Sequence, residues 1–399
     1  MNHKYGFHVN RTGNDVLDAI KRIRPRVIKT LDHDVGFWTL VRSMLPDVFL
    51  VGRVAVPGSV QARFEQDPVG TGRSFAANIL SLEANRTIVQ GRRLFDAWES
   101  FNEAVPGHAS PDTKRAYDDF QVAFAAPIKQ AGFEPVAMNF GTGNMLGDDF
   151  LAHFQGTLET YTYLGFHEYD WPDMWRLHEE NIREKHQGGM WLALRYRRIM
   201  NEVRKVYGNR HKVIITECGM TQGVLGGQDV GPWHSPTVPQ NVLDYLASKN
   251  ISPEVTKERY WKSLMWYNDE LMKDGYVTGA LLFVVGAVHP WESFEHLGDT
   301  VSRLEAFQVD DGDSPEPDKV LAEKLVAAAA EAQVIQFNPN AALQKRIFAD
   351  GLVPNSPEFE IVFDDVRYVA QRAEHLKTGK VRVYYVPKGD WARVGYVQR

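Results

Sequence analysis

Cysteine is nearly absent from this chain of 399 residues, with Cys218 the single one. That excludes an internal disulfide framework and suits a reducing compartment. Long apolar runs are missing too. No stretch reaches the roughly 18 residues that a membrane-spanning helix needs, and Met1-Asn2-His3-Lys4 leads straight into a strand-like segment. Neither a transmembrane helix nor a signal peptide is therefore expected, and a cytoplasmic location is the default. Charge of one sign is not in large excess: the net charge of −6 gives no reason to expect nucleic acid or an anionic membrane as partner. There is no Gly-x-Gly-x-x-Gly turn after the first strand-like run, which argues against a dinucleotide-binding sheet. The 13 histidines are scattered, with no His-x-x-x-His or cysteine-rich spacing, so no metal and no cofactor are expected.

What is present is an ordinary globular composition, 44% hydrophobic and 24% charged, long enough for one large domain and a smaller attachment. Ten tryptophans, several in loop-like stretches, favour stacking surfaces for a ligand such as a sugar. Short apolar runs alternate with longer amphipathic ones. Strands are predicted at 5–10, 26–31, 48–54, 94–103, 135–139, 161–166, 213–219 and 277–285. Helices are predicted at 14–24, 37–45, 73–90, 112–131, 148–158, 190–206, 255–272 and 318–332. Pro127 should kink or end the fourth of these helices. Eight such βα units in a chain of this length predict a closed (β/α)8 barrel over 1–337. The last 62 residues, 338–399, read differently, as a small α/β appendage of unknown role. From Ala341 to Arg399 this tail has a local net charge of +3.

Chemistry is concentrated at two predicted strand ends. Val213-Ile214-Ile215-Thr216-Glu217-Cys218-Gly219 puts a carboxylate where a strand buried on both faces runs out into a loop. Trp98-Glu99-Ser100-Phe101-Asn102-Glu103 does the same at strand four. On a barrel all strand ends open on one face, so Glu103 and Glu217 can share a cleft despite their distance in sequence. Two carboxyl groups about 5 Å apart are what a retaining glycosidase needs, one to protonate the leaving oxygen and one to attack the anomeric carbon. Asn102 can hydrogen-bond a sugar hydroxyl beside them.

Trp98-Glu99-x-x-Asn102-Glu103, His167-x-Tyr169 after strand six, Thr216-Glu217 and Trp291 beyond strand eight together resemble the clan A glycoside hydrolases, family 5 in particular. The resemblance covers roughly residues 5–335. It implies a (β/α)8 fold and a retaining mechanism, with Glu103 as acid/base and Glu217 as nucleophile. It further implies that Asn102 contacts the sugar 2-hydroxyl, Tyr169 hydrogen-bonds the nucleophile, His167 lines the cleft near the acid/base and Trp291 forms a stacking floor. In that family an arginine on an early strand lies near the nucleophile. Arg53 is the candidate here and Lys29 a second. A cation at that place would keep Glu217 ionised.

Further candidates rest on position. His8 and Asn10 share a face of strand one and could reach the sugar, although a histidine satisfied inside the barrel is an equal reading for His8. Phe283 competes with Trp291 for the stacking role. The stretch from Met220 to Pro253, rich in Gly and Pro and carrying Trp233-His234, reads as a structureless loop over the cleft, with Trp233 toward the substrate. Cys218 should point away from the cleft as a buried, inert thiol. The expected protein is a glycosidase acting on a β-linked glycan or oligosaccharide. Two other readings keep the same fold: a phage or bacterial cell-wall lysin with the tail as wall attachment, and a non-catalytic carbohydrate-binding barrel.

Overall fold

The computed structural model describes residues 3–176, 191–312, 342–350, 352–354, 356, 358–363, 366–374, 381–390 and 394–398. The expected boundary at 337/338 and the expected helix 318–332 lie outside the described residues. Contacts divide the chain into a unit from His3 to Glu305 and a second formed by Ala306–Arg399 with Met1–Asn2.

The first unit is a closed barrel of eight parallel strands. They are β1 (Tyr5–Val9), β2 (Val27–Thr30), β3 (Phe49–Gly52), β4 (Ala97–Glu99), β5 (Glu134–Phe140), β6 (Tyr163–Asp170), β7 (Lys212–Met220) and β8 (Val277–Val285). Each pairs with its neighbours in chain order, and β8 closes on β1. Helices lie between the strands, so the chain is a (β/α)8 barrel as its alternation predicted. The expected strand 94–103 shortens to β4, leaving Glu103 in the loop beyond. The expected helix 73–90 becomes Pro68–Leu80, started early by Asp67, whose side chain accepts from Gly70 N, and by Pro68 at its first position. The β-branched Thr87-Ile88-Val89 then pairs back through Gln90-Gly91, both at positive φ, as a hairpin. Pro127 does not end the fourth helix, which runs Pro111–Gln130 with Pro127 in its last turn. The stretch 220–253 is not structureless: it contains a short 3-10 turn, Gln222–Leu225, and a helix, Gln240–Ser248. After β8 a helix absent from the sequence reading runs Asp299–Gly312.

Period-two alternation sorts the barrel interior into layers. The closed end is an apolar plug of Val27, Val51, Ala97, Val136, Ile214 and Leu281, with Phe49 and Tyr163 packed against it. Two residues beyond Val27 and Ala97 stand Lys29 on β2 and Glu99 on β4, and two beyond Gly165, the β6 partner of Ile214, stands His167; two residues further still come Leu31, just past β2, and Tyr169 on β6. The larger apolar core, including Cys218, fills the space between strands and helices.

The second unit contains a helix, Ala342–Ala349, and a five-stranded antiparallel sheet built from β9 (Val353–Pro354), β10 (Phe359–Phe363), β11 (Val366–Glu374), β12 (Val381–Pro387) and β13 (Gly395–Gln398). Leu343 and Ile347 of the helix pack on Val369, Ala373, Tyr384 and Val386 of one sheet face.

Candidate active site

Strict alternation from the inward-facing Ile214 would turn Glu217 outward. The β6–β7 register prevents this, because Phe166 pairs with Ile215 but His167 pairs with Glu217. One extra residue in β7, a bulge, turns Glu217 to the side of His167. A second irregularity at Asn139 in β5 gives Met138 and Asn139 positive φ values. Asn139 then reaches across to accept from Thr216 Oγ1 at 3.1 Å, and its backbone oxygen receives Glu103 N at 3.0 Å. A Cβ at Gly165 would stand 2.1 Å from Asn139 Oδ1, so this crossing needs glycine there.

Glu217 is 7% exposed and surrounded. Its Oε1 lies 3.1 Å from Arg53 Nη1, 3.3 Å from Lys29 Nζ and 3.6 Å from His8 Nδ1. Its Oε2 accepts from Tyr169 OH at 3.2 Å and lies 3.5 Å from His167 Nδ1. Burial alone would push this carboxyl up, yet His167, Lys29, His8 and Arg53 together hold it well below the usual carboxylate range. Lys29 and Arg53 bring their cationic groups within 3.3 Å of Oε1, close enough to offset burial. His8 is fully buried, and burial followed by the Lys29 charge holds its ring far below the ordinary histidine value, hence neutral. Lys29 is shared, because its Nζ also lies 3.1 Å from Oε2 of the fully buried Glu99.

Glu103 stands in contrast. Its side chain is 49% exposed, its backbone is left-handed at φ 52°, and its Oε1 lies 2.8 Å from His167 Nδ1. One imidazole nitrogen thus touches both carboxylates. By the sum of 2.8 and 3.5 Å, Glu103 Oε1 and Glu217 Oε2 are no more than about 6.3 Å apart.

A cavity of about 530 Å³ opens over the pair. Of the sequence-predicted residues, Glu103, Glu217, Asn102, Asn10, Arg53, Tyr169 and Trp291 line it, and Phe283 lines it with Trp291 rather than instead of it. Four are not among the lining residues. His8, His167 and Lys29 lie beneath, against the carboxylates. Trp233 turns edge-on to Tyr260, ring centroids 5.0 Å apart, because its loop folds back on itself. Cys218 is buried, and burial pushes its thiol well up, in line with an inert core residue. Sequence reasoning missed Glu99 as the partner of Lys29, although it falls two residues after Ala97 and so on the same inward face. It also missed Thr142 and Asp229, which stand in loops where no periodicity speaks. Thr142 Oγ1 donates to His167 O and accepts from Tyr169 N, each at 3.1 Å, pinning the end of β6.

Among the described residues no group of three or more His, Cys, Asp or Glu side chains could hold a metal ion, and no helix is long and apolar enough to cross a membrane.

No family model matches the chain, and no curated protein matches it in sequence. Solved structures do show similarity of form. A β-glucuronidase from Ruminococcus gnavus overlaps 76% of this chain and 50% of its own at 10% identity and a TM-score of 0.48. A family 51 α-L-arabinofuranosidase from Bifidobacterium longum overlaps 97% and 82% at 13% identity and a TM-score of 0.42. A GH5-4 broad-specificity endoglucanase from Clostridium acetobutylicum overlaps 76% and 96% at 11% identity and a TM-score of 0.43. The aligned part of this chain spans about half the length of the glucuronidase. Identities near one in ten and TM-scores below 0.5 leave the chemistry to be read from the site itself.

Proposed function

We propose that this protein is a retaining glycoside hydrolase acting on a β-linked glycan or oligosaccharide. The observation that carries the reading is the pair of carboxylates bridged by His167 Nδ1, one buried among cations and one half exposed at the same cavity. One oxygen of each carboxylate lies within about 6.3 Å of the other, so the two face a single sugar ring. This bound is compatible with the roughly 5–5.5 Å of retaining enzymes.

Environment assigns the roles. Glu217, ionised and aligned by Arg53, Lys29 and Tyr169, attacks the anomeric carbon and forms a glycosyl ester. Glu103, open to solvent, protonates the departing oxygen and then takes a proton from the water that cleaves the ester. Asn102 beside it offers its amide to a ring hydroxyl, and Trp291 with Phe283 gives the sugar an aromatic wall. The buried cations matter because the ester consumes the negative charge they hold. They keep the nucleophile ionised but also make it less reactive, so Glu99 sharing Lys29 moderates their pull.

The test compares wild type, Glu103→Ala and Glu217→Ala on activated aryl β-glycosides with azide as external nucleophile. Glu103→Ala should release a β-azide and Glu217→Ala an α-azide, which together define a retaining mechanism. Full activity in either variant would remove the assignment.

A further inference from the structure

The cavity is unusual in its balance of charge. Among the described lining residues Arg53 is the one cation, and that guanidinium is committed to Glu217. Beyond Glu103 and Glu217 a third carboxylate, Asp229, also lines it. Asp229 is held in place by its surroundings. Thr221 Oγ1 donates to Asp229 Oδ1 at 2.9 Å and accepts from Gly223 N at 3.2 Å, which fixes the direction of its single proton. The loop behind is tied through buried Gln222, which accepts from Thr237 N and donates to His234 O and Ser235 O. A Cβ at Gly223 would meet Asp229 Oδ1 at 3.1 Å, so the loop lies close against this side chain.

Asp229 Oδ2 has no hydrogen-bond partner among the described residues and remains available to a ligand. Partial desolvation pushes the Asp229 carboxyl up more than Thr221 holds it down, and the like charges of Glu103 and Glu217 add to this. Independently, Asn10 and Asn102 line the cavity, and the amide oxygen of each is buried without a hydrogen-bond partner among the described residues. A buried acceptor without a donor is costly. Among the described lining residues the cavity therefore presents amides and negative charge, and its cation is already paired with Glu217. A ligand rich in hydroxyl donors satisfies it, whereas a sugar carboxylate would meet repulsion and find no counter-ion.

We propose that the cavity takes an uncharged, hydroxyl-rich sugar unit and rejects a uronic acid, and that Asp229 sets this preference by accepting a hydroxyl through Oδ2. The substrate class deepens the hydrolase reading and uses the same site, but it concerns binding and can be tested apart from turnover.

The probes are phenyl 1-thio-β-glycosides of glucose, galactose and mannose, each beside its uronic acid counterpart. They are titrated calorimetrically into wild type, Asp229→Asn and Asp229→Ala, and the matching O-glycosides are assayed for hydrolysis. Wild type should bind at least one neutral thioglycoside about tenfold more tightly than its uronic partner. Asp229→Asn, which keeps the shape and the acceptor for Thr221, should close most of that gap by improving uronate binding. Asp229→Ala should weaken the neutral ligand about tenfold. Tighter binding of the uronic acids by wild type, an unchanged ratio in Asp229→Asn, or binding of no probe would overturn the inference. Preferential binding of the neutral probes without hydrolysis of the O-glycosides would remove the hydrolase reading and leave this inference standing.

Discussion

Neighbouring strands of the barrel carry two buried glutamates whose surroundings drive them in opposite directions. Glu217 on β7 faces the barrel mouth, where Lys29 and Arg53 stand within 3.3 Å, and it is held far below the usual carboxylate range against the effect of burial. Glu168 on β6 faces the layer between strands and helices and is fully buried. It accepts from Leu194 N at 2.7 Å, Tyr196 N at 2.8 Å and Tyr267 OH at 2.5 Å, which caps the helix Arg195–Tyr207 and joins it to the helix Lys257–Met272. The nearby cation Arg197 is paired with Glu270 and Asp274. Burial outweighs the three donors, and the Glu168 carboxyl is pushed up to about 7. Three hydrogen-bond donors and an already paired arginine thus leave a buried acid able to keep its proton near neutrality, whereas cationic groups in direct contact hold Glu217 low. The mouth is built to hold an anion ready; the outer layer is built to join helices.

Substitutions that break this difference rank by what they leave uncompensated. Glu217→Gln keeps the volume and removes the nucleophile, and should lower kcat on an activated aryl β-glycoside by about 10⁴-fold or more while the protein stays folded, as circular dichroism would check. Lys29→Met strips both Glu217 and Glu99 of a shared cation. Breaking a buried pair in this way costs about 3–5 kcal/mol, readable as a lower urea midpoint. Adding Glu99→Gln should recover part of that loss, because it removes the stranded buried charge. Strict additivity of the two would show that they do not interact.

The inner polar layer was legible where alternation holds and obscure where it breaks. Val27 and Lys29, or Gly165 and His167, stand two apart on regular strands, so the face of each is readable from sequence. Glu217 faces the mouth only through the bulge at Thr216, and no local pattern in Ile214-Ile215-Thr216-Glu217 announces it; the family resemblance supplied what periodicity could not. Arg53 and Lys29 were offered as alternatives for one role, and both reach Glu217, since adjacent strands point two side chains at one spot. Trp233 shows the opposite limit. An aromatic in a loop after the nucleophile suggested a ligand wall, but Gln222 folds that loop inward by hydrogen bonds to residues 12 to 15 positions further on, leaving Trp233 against Tyr260. Asp229 reached the cavity by the same fold, with no sequence signal beyond its place in that loop.

At the outer glutamate the effects are smaller and separate shape from charge. Glu168→Ala strands two backbone donors and one phenol in the layer, and should cost about 2–3 kcal/mol in unfolding free energy. Glu168→Gln keeps an acceptor oxygen and should cost less at pH 5. The difference between wild type and Glu168→Gln should then depend on pH in a direction fixed by the sign of the shift. With a folded value of about 7 and an ordinary value of 4.5, the folded protein keeps a proton that the unfolded chain has released over that interval. The Glu168 contribution to stability should accordingly fall as pH rises from 4.5 toward 7, by up to about 1.4 kcal/mol per unit, and flatten above it. Glu217 acts in the other sense: its contribution is present above the ordinary carboxylate value and fades as pH drops below about 4.5. Urea unfolding of wild type and Glu168→Gln at pH 5 and 8 isolates Glu168 in the difference, because the other titrating groups, the buried histidines included, are common to both proteins. If Glu168→Gln and wild type lose the same stability between the two pH values, the outer carboxyl is ionised throughout, and its three donors outweigh burial after all.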